Sequence, residues 1–248
     1  MAPALTFTKY TKDFSQRPFG LLDNPVIFTK SFFNELSGYI YTLREYAFSD
    51  GCEYTSCVEV SFLDYDPRDA YTLEHAQALF YESGYDRYSA AAEALDLGIP
   101  PLCETVVARY VFKDIEVKYS DSVVKTAKQV KGAHVSKEYS GEHITTYVYS
   151  LMQREYSLVV SDNVQSVDGH ALWAYGICRL GQVLVYDSQQ QKFLSKLLPT
   201  GNVPDKGVIP WSIPYDANSL PSSINRLRQG FYTTSTSLNH LVFVLENT

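Results

Sequence analysis

The stretch that decides the fold runs from His134 to Asp187 and reads HVSKEYSGEHITTYVYSLMQREYSLVVSDNVQSVDGHALWAYGICRLGQVLVYD. Its apolar residues predict three strands that alternate with two helices. In chain order these are a strand ending near Val135, a helix over Ile144–Gln153, a strand over Ser157–Val160, a helix over Asp168–Arg179 and a strand over Val183–Tyr186. Short, fully apolar strands that alternate with helices are typical of an α/β fold.

The first two strands of this stretch are predicted to be neighbours in a parallel pair. Parallel strands need a crossover connection, and the helix over Ile144–Gln153 has the right length and place to supply it. A further apolar strand, LVFVL at Leu241–Leu245, is predicted to return into the same sheet because it is too hydrophobic for an exposed edge.

Composition and charge exclude several classes of protein. The chain has 248 residues, of which 45% are hydrophobic, so it can form one large domain or one domain with an elaboration. Its net charge of −7 and its lack of a lysine and arginine cluster argue against direct nucleic-acid binding. No apolar run is long enough to span a membrane, and the first residues lack the apolar core of a signal peptide. The four cysteines show no metal-binding spacing, so no metal site is predicted.

The N-terminal part of the chain, residues 1–103, is predicted to be an elaboration whose helices pack on a core formed by residues 104–248. Apolar residues three and four positions apart predict an amphipathic helix from Thr29 to Tyr46. The pattern also predicts a strand over Cys57–Leu63, helices over Leu73–Tyr81 and Tyr88–Leu97, and one or two strands over Glu104–Tyr119.

Residues 197–234 are predicted to form a long excursion from the core. They are rich in proline, glycine, serine and asparagine, and a loop of this length is uncommon unless it is functional. Aromatic side chains on such a segment are typical of interface anchors. The predicted interface residues are Trp211, Tyr215, Phe231 and Tyr232.

The decisive stretch resembles a known family. The run Val135-Ser-Lys-Glu-Tyr-Ser-Gly-Glu-His-Ile-Thr is similar to the central motif V-x-P-x-Y-R-G-x-G-I-G of the GNAT family of N-acetyltransferases. The run YSLVVSDNVQSVDGHALW that follows looks like the next strand and helix of that family, and in particular of phage-encoded GNAT-like proteins. The resemblance implies a mixed GNAT-like central sheet with flanking helices, an extended N-terminal region and a long C-terminal excursion.

The resemblance also implies a cradle for the pyrophosphate of acetyl-CoA at a helix N-terminus, where backbone N–H groups bind phosphate and glycines allow close approach. The corresponding residues here are Val135, Ser140, Gly141, Glu142, His143, Ile144 and Thr145. His143 and Thr145 replace small residues, and the negative charge of Glu142 repels phosphate. Acetyl-CoA is therefore predicted to bind poorly or not at all, and no other cofactor is expected.

The catalytic position of the family is also altered. Many members use a tyrosine of the second helix as the general acid, and this chain has Trp173 in the corresponding place. Tyr175 is the remaining candidate for a general acid on this helix, but it lies two residues on and would face another side of the helix. The predicted function is therefore that of a non-catalytic phage accessory or virion-associated protein, which works through protein partners in a host cytoplasm or virion. The expected partners are further copies of the chain or virion components. The alternative is an active acetyl-CoA-dependent N-acetyltransferase.

A second alternative is a cysteine hydrolase of the papain-like or Ulp-like kind. His170 and Asp187 have a separation similar to that of the histidine and acid in those enzymes. Such chemistry requires a cysteine thiolate activated by the histidine, which the acid orients. Cys52 and Cys103 are the candidate nucleophiles in chain order.

Overall fold

The computed structural model describes residues 4–6, 13–68, 70–212, 232–233 and 240–246. The chain has the predicted α/β class and contains mixed β-sheet. It forms two compact units. The N-terminal unit comprises Phe14–Val111 and Ala133–Ile144, and the C-terminal unit comprises Met1–Asp13, Phe112–Gly132 and Thr145–Thr248. The domain division at residues 103 and 104 stays a prediction. No helix in the described part of the chain is long and apolar enough to cross a membrane.

The first half of the chain contributes the elements β1 (Ala4–Thr6), β2 (Leu21–Asn34), β3 (Tyr39–Phe48), β4 (Ser56–Asp64), α1 (Tyr71–Tyr81), α2 (Arg87–Leu95), β5 (Cys103–Ser120) and β6 (Val123–Val135). The second half contributes α3 (Ile144–Tyr156), β7 (Leu158–Val160), β8 (Val164–Ser166), α4 (Val167–Ala171), β9 (Gln182–Asp187), β10 (Lys192–Lys196), β11 (Trp211–Ser212), β12 (Tyr232–Thr233) and β13 (Leu241–Glu246). The long strands β5 and β6 are divided between the two units.

The predicted helix from Thr29 to Tyr46 is wrong, because these residues form the antiparallel hairpin of β2 and β3. Gly38 closes the turn with a φ of 77°, a left-handed conformation that suits glycine. Four consecutive residues of β3, from Ile40 to Leu43, are buried, so this strand lacks the alternation that marks a half-buried strand. An apolar run of this kind cannot be distinguished from a buried helix by periodicity alone.

In the N-terminal unit, α1 and α2 pack on one face of the β2–β4 meander. The two helices and the sheet bury a shared core of Phe33, Ile40, Leu63, Tyr65, Ala76, Ala91 and Ala94. The three core alanines lie on α1 and α2, and their small side chains allow a helix to lie close to the large rings of the sheet. Both helices agree with the predicted ones to within two residues at each end.

In the C-terminal unit, the strands follow the order β10–β9–β13–β7–β6–β5. β6 and β7 are parallel, with Lys128 opposite Val159 and Gln129 opposite Val160, and α3 connects them. This confirms the predicted parallel pair. β13 lies between β9 and β7 and is antiparallel to both, which agrees with the prediction that Leu241–Leu245 returns into the sheet. The short strands β1, β8, β11 and β12 form a separate parallel sheet.

The second predicted helix of the decisive stretch is helical but irregular. After α4, one π-helical turn covers Leu172–Gly176 and one 3₁₀ turn covers Ile177–Arg179. Ser166 caps the N-terminus of α4 by accepting a hydrogen bond from the amide of Gly169 at 3.1 Å. π-helical turns of this kind are frequent at functional sites.

Candidate functional site

The predicted phosphate-binding loop connects β6 to α3. One 3₁₀ turn over Lys137–Tyr139 opens the loop, and Ser140 Oγ donates a hydrogen bond to the carbonyl of Lys137 at 2.9 Å. Ser140, Gly141 and His143 are exposed, and Ile144 is buried at the start of the helix. The remaining residues that the resemblance assigns to the cradle, Val135, Glu142 and Thr145, are half-buried.

The glycine of this loop does not adopt a left-handed backbone conformation, and another residue does. Gly141 has no positive φ, and a Cβ placed there would meet no described atom within 4 Å. The left-handed residue is His143, with a φ of 55°. A residue other than glycine costs about 1 kcal/mol or more in this conformation. The structure therefore places the histidine where a glycine would fit best, and the retained Gly141 is not required by steric contact.

The side chain of Glu142 binds within the N-terminal unit. Its carboxylate accepts a hydrogen bond from the phenol of Tyr41 and another from Nδ2 of Asn34 at 3.2 Å. The backbone carbonyl of Glu142 accepts a further hydrogen bond from the same Asn34 nitrogen at 3.0 Å. Asn34 and Tyr41 are fully buried, so these donors belong to the packed part of the unit. The three hydrogen bonds fix the loop one residue before its left-handed position.

Aromatic rings surround this carboxylate. Tyr41 stacks on Phe32 with ring centroids 5.3 Å apart, and Tyr139 approaches both Tyr41 and Phe62. Burial raises the pKa of Tyr41 well above its ordinary value, and the hydrogen bond to Glu142 raises it further. Burial also raises the pKa of Tyr139, with a contribution from the charge of Glu142. Both phenols therefore stay protonated at neutral pH, and Tyr41 acts as a hydrogen-bond donor rather than as a base.

In the C-terminal unit, side chains bridge the region where the parallel pair of β6 and β7 ends. β7 ends at Val160, and beyond it Gln129 Nε2 donates to the carbonyl of Ser161 at 3.1 Å. Lys131 Nζ lies 2.6 Å from an oxygen of Asp162 and 3.3 Å from Oδ1 of Asn163. The side chains of Lys131 and Asp162 are each only 14% exposed. A largely buried ion pair thus lies beside the end of the parallel pair of β6 and β7.

Trp173, which replaces the family's catalytic tyrosine, and the candidate Tyr175 differ in their surroundings. Trp173 is buried between the rings of Tyr149 and Phe243, at centroid distances of 5.8 and 6.2 Å, so it is a core residue. Tyr175, the weak candidate for a general acid, is half-buried, and its ring lies 6.4 Å from that of His170. The π-helical turn contains both Trp173 and Tyr175.

His170 is fully buried beside Trp211, with ring centroids 4.0 Å apart. Within the described part of the chain, neither of its ring nitrogens has a hydrogen-bond partner. Burial lowers the pKa of His170 to about 4. It is therefore a neutral imidazole at physiological pH, and no described group orients it as a triad histidine would need.

The structure does not bring Asp187 to His170. One oxygen of Asp187 accepts hydrogen bonds from the amides of Gln189 and Gln190, and the other lies 3.4 Å from Nε2 of His240. Asp187 thus caps the turn between β9 and β10. The candidate nucleophiles lie in the N-terminal unit, where the thiol of Cys103 contacts Asp64 and that of Cys52 contacts Ser49.

The predicted interface residues fall into three groups. Trp211 is fully buried, and its Nε1 donates to the carbonyl of Gly201 at 2.6 Å, so it packs in the core of its unit. Tyr232 lies in β12 opposite Trp211. Tyr215 and Phe231 lie outside the described residues.

No group of three or more metal-ligating side chains occurs in the ranges that the structure describes. No protein-family model matches the chain, and no curated protein matches it significantly.

Proposed function

We propose that this chain is a non-catalytic protein that keeps a GNAT-like segment as a scaffold and acts through protein–protein contacts. The support comes from the residues that the family would use for acetyl-CoA. Glu142 and Ser140 bind other groups of the chain, and His143 has an unfavourable backbone conformation. An active acetyltransferase would need these groups free to meet a pyrophosphate and a thioester.

The observation that carries this proposal is the anchoring of Glu142. A carboxylate in a phosphate-binding loop repels the ligand, and here it is held in place by Tyr41 and Asn34. Loss of this carboxylate would leave the buried hydroxyl of Tyr41 without its acceptor, which costs about 1–3 kcal/mol. The carboxylate is therefore a stable part of the loop.

The ion pair of Lys131 and Asp162 supports the same proposal independently. A cofactor entering between β6 and β7 would have to separate two charges that are mostly buried. Breaking a buried pair by removing one partner typically costs several kcal/mol. A ligand has to supply that energy before it gains affinity.

The resemblance to phage-encoded proteins suggests the setting. We propose an accessory or virion-associated protein in a phage-infected cell, with protein partners that include further copies of this chain or virion components. The abundance of tyrosine, 20 residues in 248, is consistent with such contacts because tyrosine suits surfaces that are partly apolar and partly wet.

Calorimetric titration with acetyl-CoA tests the proposal. We expect no heat of binding at ligand concentrations up to about 1 mM, which corresponds to an affinity weaker than about 4 kcal/mol. An acetyl-transfer assay on a lysine-containing peptide should likewise show no turnover above the reaction without protein. A dissociation constant in the low micromolar range would favour the acetyltransferase alternative instead.

Glu142→Gln is the informative variant in the same titration. It removes the negative charge and keeps an acceptor for Tyr41 and Asn34. If the charge alone excludes the cofactor, this variant gains measurable affinity. If it binds acetyl-CoA no better than the parent protein, the conformation of His143 and the closed β6–β7 region also exclude it.

A further inference from the structure

Two turns of the N-terminal unit lie side by side and present exposed aromatic and apolar side chains. The first joins β2 to β3, and the second joins α1 to α2. Together they carry Leu36, Tyr81, Glu82 and Tyr85, which we name the tyrosine tip. Leu36, Tyr81 and Tyr85 are 56%, 58% and 41% exposed.

Direct contacts hold the two turns together. The Tyr81 hydroxyl donates to the backbone carbonyl of Glu35 at 3.3 Å. The guanidinium of Arg87 binds the carboxylate of Glu35 in a bidentate ion pair, with N–O distances of 3.0 and 3.1 Å. Glu35 directly precedes Leu36, so these bonds hold the β2–β3 turn, and with it Leu36, against the α1–α2 turn.

The α1–α2 turn is rigid at both ends. Gly84 adopts a φ of 73°, and the amide of Tyr85 bonds to the carbonyl of Leu79, which is the usual glycine-based end of a helix. Asp86 then caps α2 by accepting hydrogen bonds from the amides of Tyr88 and Ser89, at 3.0 and 2.8 Å. Tyr85 is therefore presented by a turn that is fixed before any partner arrives, which lowers the entropic cost of binding.

The helical hairpin that carries the tip is acidic. Residues 70–98 contain five carboxylates and one arginine, and that arginine is the one already paired with Glu35. No described cation forms a salt bridge with the exposed Glu82 of the tip. Tyrosine faces beside an unneutralised carboxylate attract a guanidinium through both cation–π contact and charge.

We propose that the tyrosine tip is a docking surface for an arginine-bearing basic segment of a partner protein. The inference rests on the proposed function, because it names the chemical class of one partner for a protein that acts through contacts. Charge complementarity selects a basic occupant. The exposed rings select arginine over lysine, since the planar guanidinium stacks on aromatic faces.

The test measures binding of fluorescein-labelled peptides by fluorescence anisotropy at about 50 and 200 mM salt. The probes are a glycine–arginine repeat, a glycine–lysine repeat of equal charge and a glycine–glutamate repeat. We expect the arginine peptide to bind most tightly, the lysine peptide more weakly, and the glutamate peptide not at all.

The variants Tyr85→Ala and Glu82→Gln address the tip, and both change exposed side chains outside the core. Each should weaken binding of the arginine peptide by about two- to fivefold, and together by about fivefold or more. Matched controls are Tyr71→Ala, at the opposite end of α1 and 55% exposed, and Glu74→Gln in its first turn. The controls should change affinity by less than about twofold if the tip is the specific site.

Equal weakening by tip and control variants would mean that the peptide responds only to the overall negative charge, and it would overturn the inference. Equal affinity of the arginine and lysine peptides would overturn the role of the rings. Neither result bears on acetyl-CoA binding, so a failure here is distinguishable from a failure of the proposed non-catalytic function.

Discussion

At the scale of single residues, burial decides what each candidate side chain can do. His170 has the residue type of a general base, yet it lies in an aromatic pocket beside Trp211. Glu142 has the residue type that a phosphate cradle avoids, and the hydroxyl of Tyr41 and the amide of Asn34 stabilise it. Residue type alone therefore misleads at His170 but not at Glu142, and at both positions the surroundings assign a structural role.

Acidification should destabilise the protein through His170. Its pKa is lowered from 6.5 to about 4 in the folded chain, so the unfolded chain binds the proton more readily. Above pH 6.5 the imidazole is neutral in both the folded and the unfolded chain, so it causes no loss of stability. As the pH decreases to 4, the free energy of unfolding falls by roughly 3 kcal/mol. Urea unfolding of the parent protein and of His170→Leu, at pH 7, 5.5 and 4, measures this.

The Leu variant supplies the control for other titrating groups, because carboxylates affect both proteins equally. The difference in unfolding free energy between the two should shift in favour of the variant as the pH falls. If the unfolding free energies of the two proteins change in parallel from pH 7 to 4, His170 does not titrate in this range.

Substitution by alanine should destabilise the protein at Gly181 and have little effect at Gly141. A Cβ at Gly181 would lie 2.6 Å from the backbone carbonyl of Glu246 and 2.8 Å from Nε2 of Gln153, so β13 or its neighbours must shift. We expect Gly181→Ala to cost about 1–3 kcal/mol. Gly141→Ala meets open space and should change stability by less than about 0.5 kcal/mol. Midpoints of urea unfolding compare the two, and an equal loss would contradict the contact at Gly181.

At the scale of elements, the sequence predicted the strands and helices that have a clear period and missed those that do not. The parallel pair and its connecting helix followed from a polar turn, a helical period and a short apolar strand. The β2–β3 hairpin was missed because β3 is buried at four successive positions. Its apolar residues then fit a helical spacing as well as a strand, and Gly38 was the remaining turn signal.

The candidate site was only half predictable for a related reason. The loop residues from Ser140 to Thr145 could be located because they are contiguous in sequence. Their partners could not, since Asn34 and Tyr41 are 108 and 101 positions away from Glu142. Contacts over such separations leave no pattern in a single sequence. The ion pair between Lys131 and Asp162 was missed in the same way.

The α1–α2 turn should lose stability when its cap is removed. Asp86 accepts two amide hydrogen bonds at the start of α2, and Asp86→Ala should cost about 1 kcal/mol. Asp96→Ala at the other end of α2 is the matched control, because a carboxylate there opposes the helix dipole and its loss should be neutral or slightly stabilising. Thermal unfolding followed by circular dichroism measures both. Equal effects would mean that the cap does not contribute.

At the scale of the whole molecule, the last strand completes the sheet of the C-terminal unit. β13 pairs with β9 along all six of its residues and with β7 along three. Five of its six residues are buried hydrophobics. Because this strand lies inside the sheet order rather than at its edge, the unit needs β13 in place to complete its core. Such long-range pairing is typical of slow folding.

Removal of residues 241–248 should therefore unfold the C-terminal unit. Burial of each large apolar side chain contributes about 1.5–3 kcal/mol, so the loss of five removes roughly 7.5–15 kcal/mol, which is comparable with the 5–15 kcal/mol that stabilises a typical domain. The chain has two tryptophans, Trp173 and Trp211, and both contact Phe243 of β13, at ring-centroid distances of 6.2 and 4.4 Å. Their fluorescence should shift to longer wavelength in the truncated protein.

The variant Phe243→Ala should give a smaller shift in wavelength and lower the free energy of unfolding by about 3–5 kcal/mol. Deletion of residues 247 and 248 alone is the control and should leave the spectrum unchanged. An unshifted spectrum after the longer truncation would mean that the tryptophans stay buried without β13.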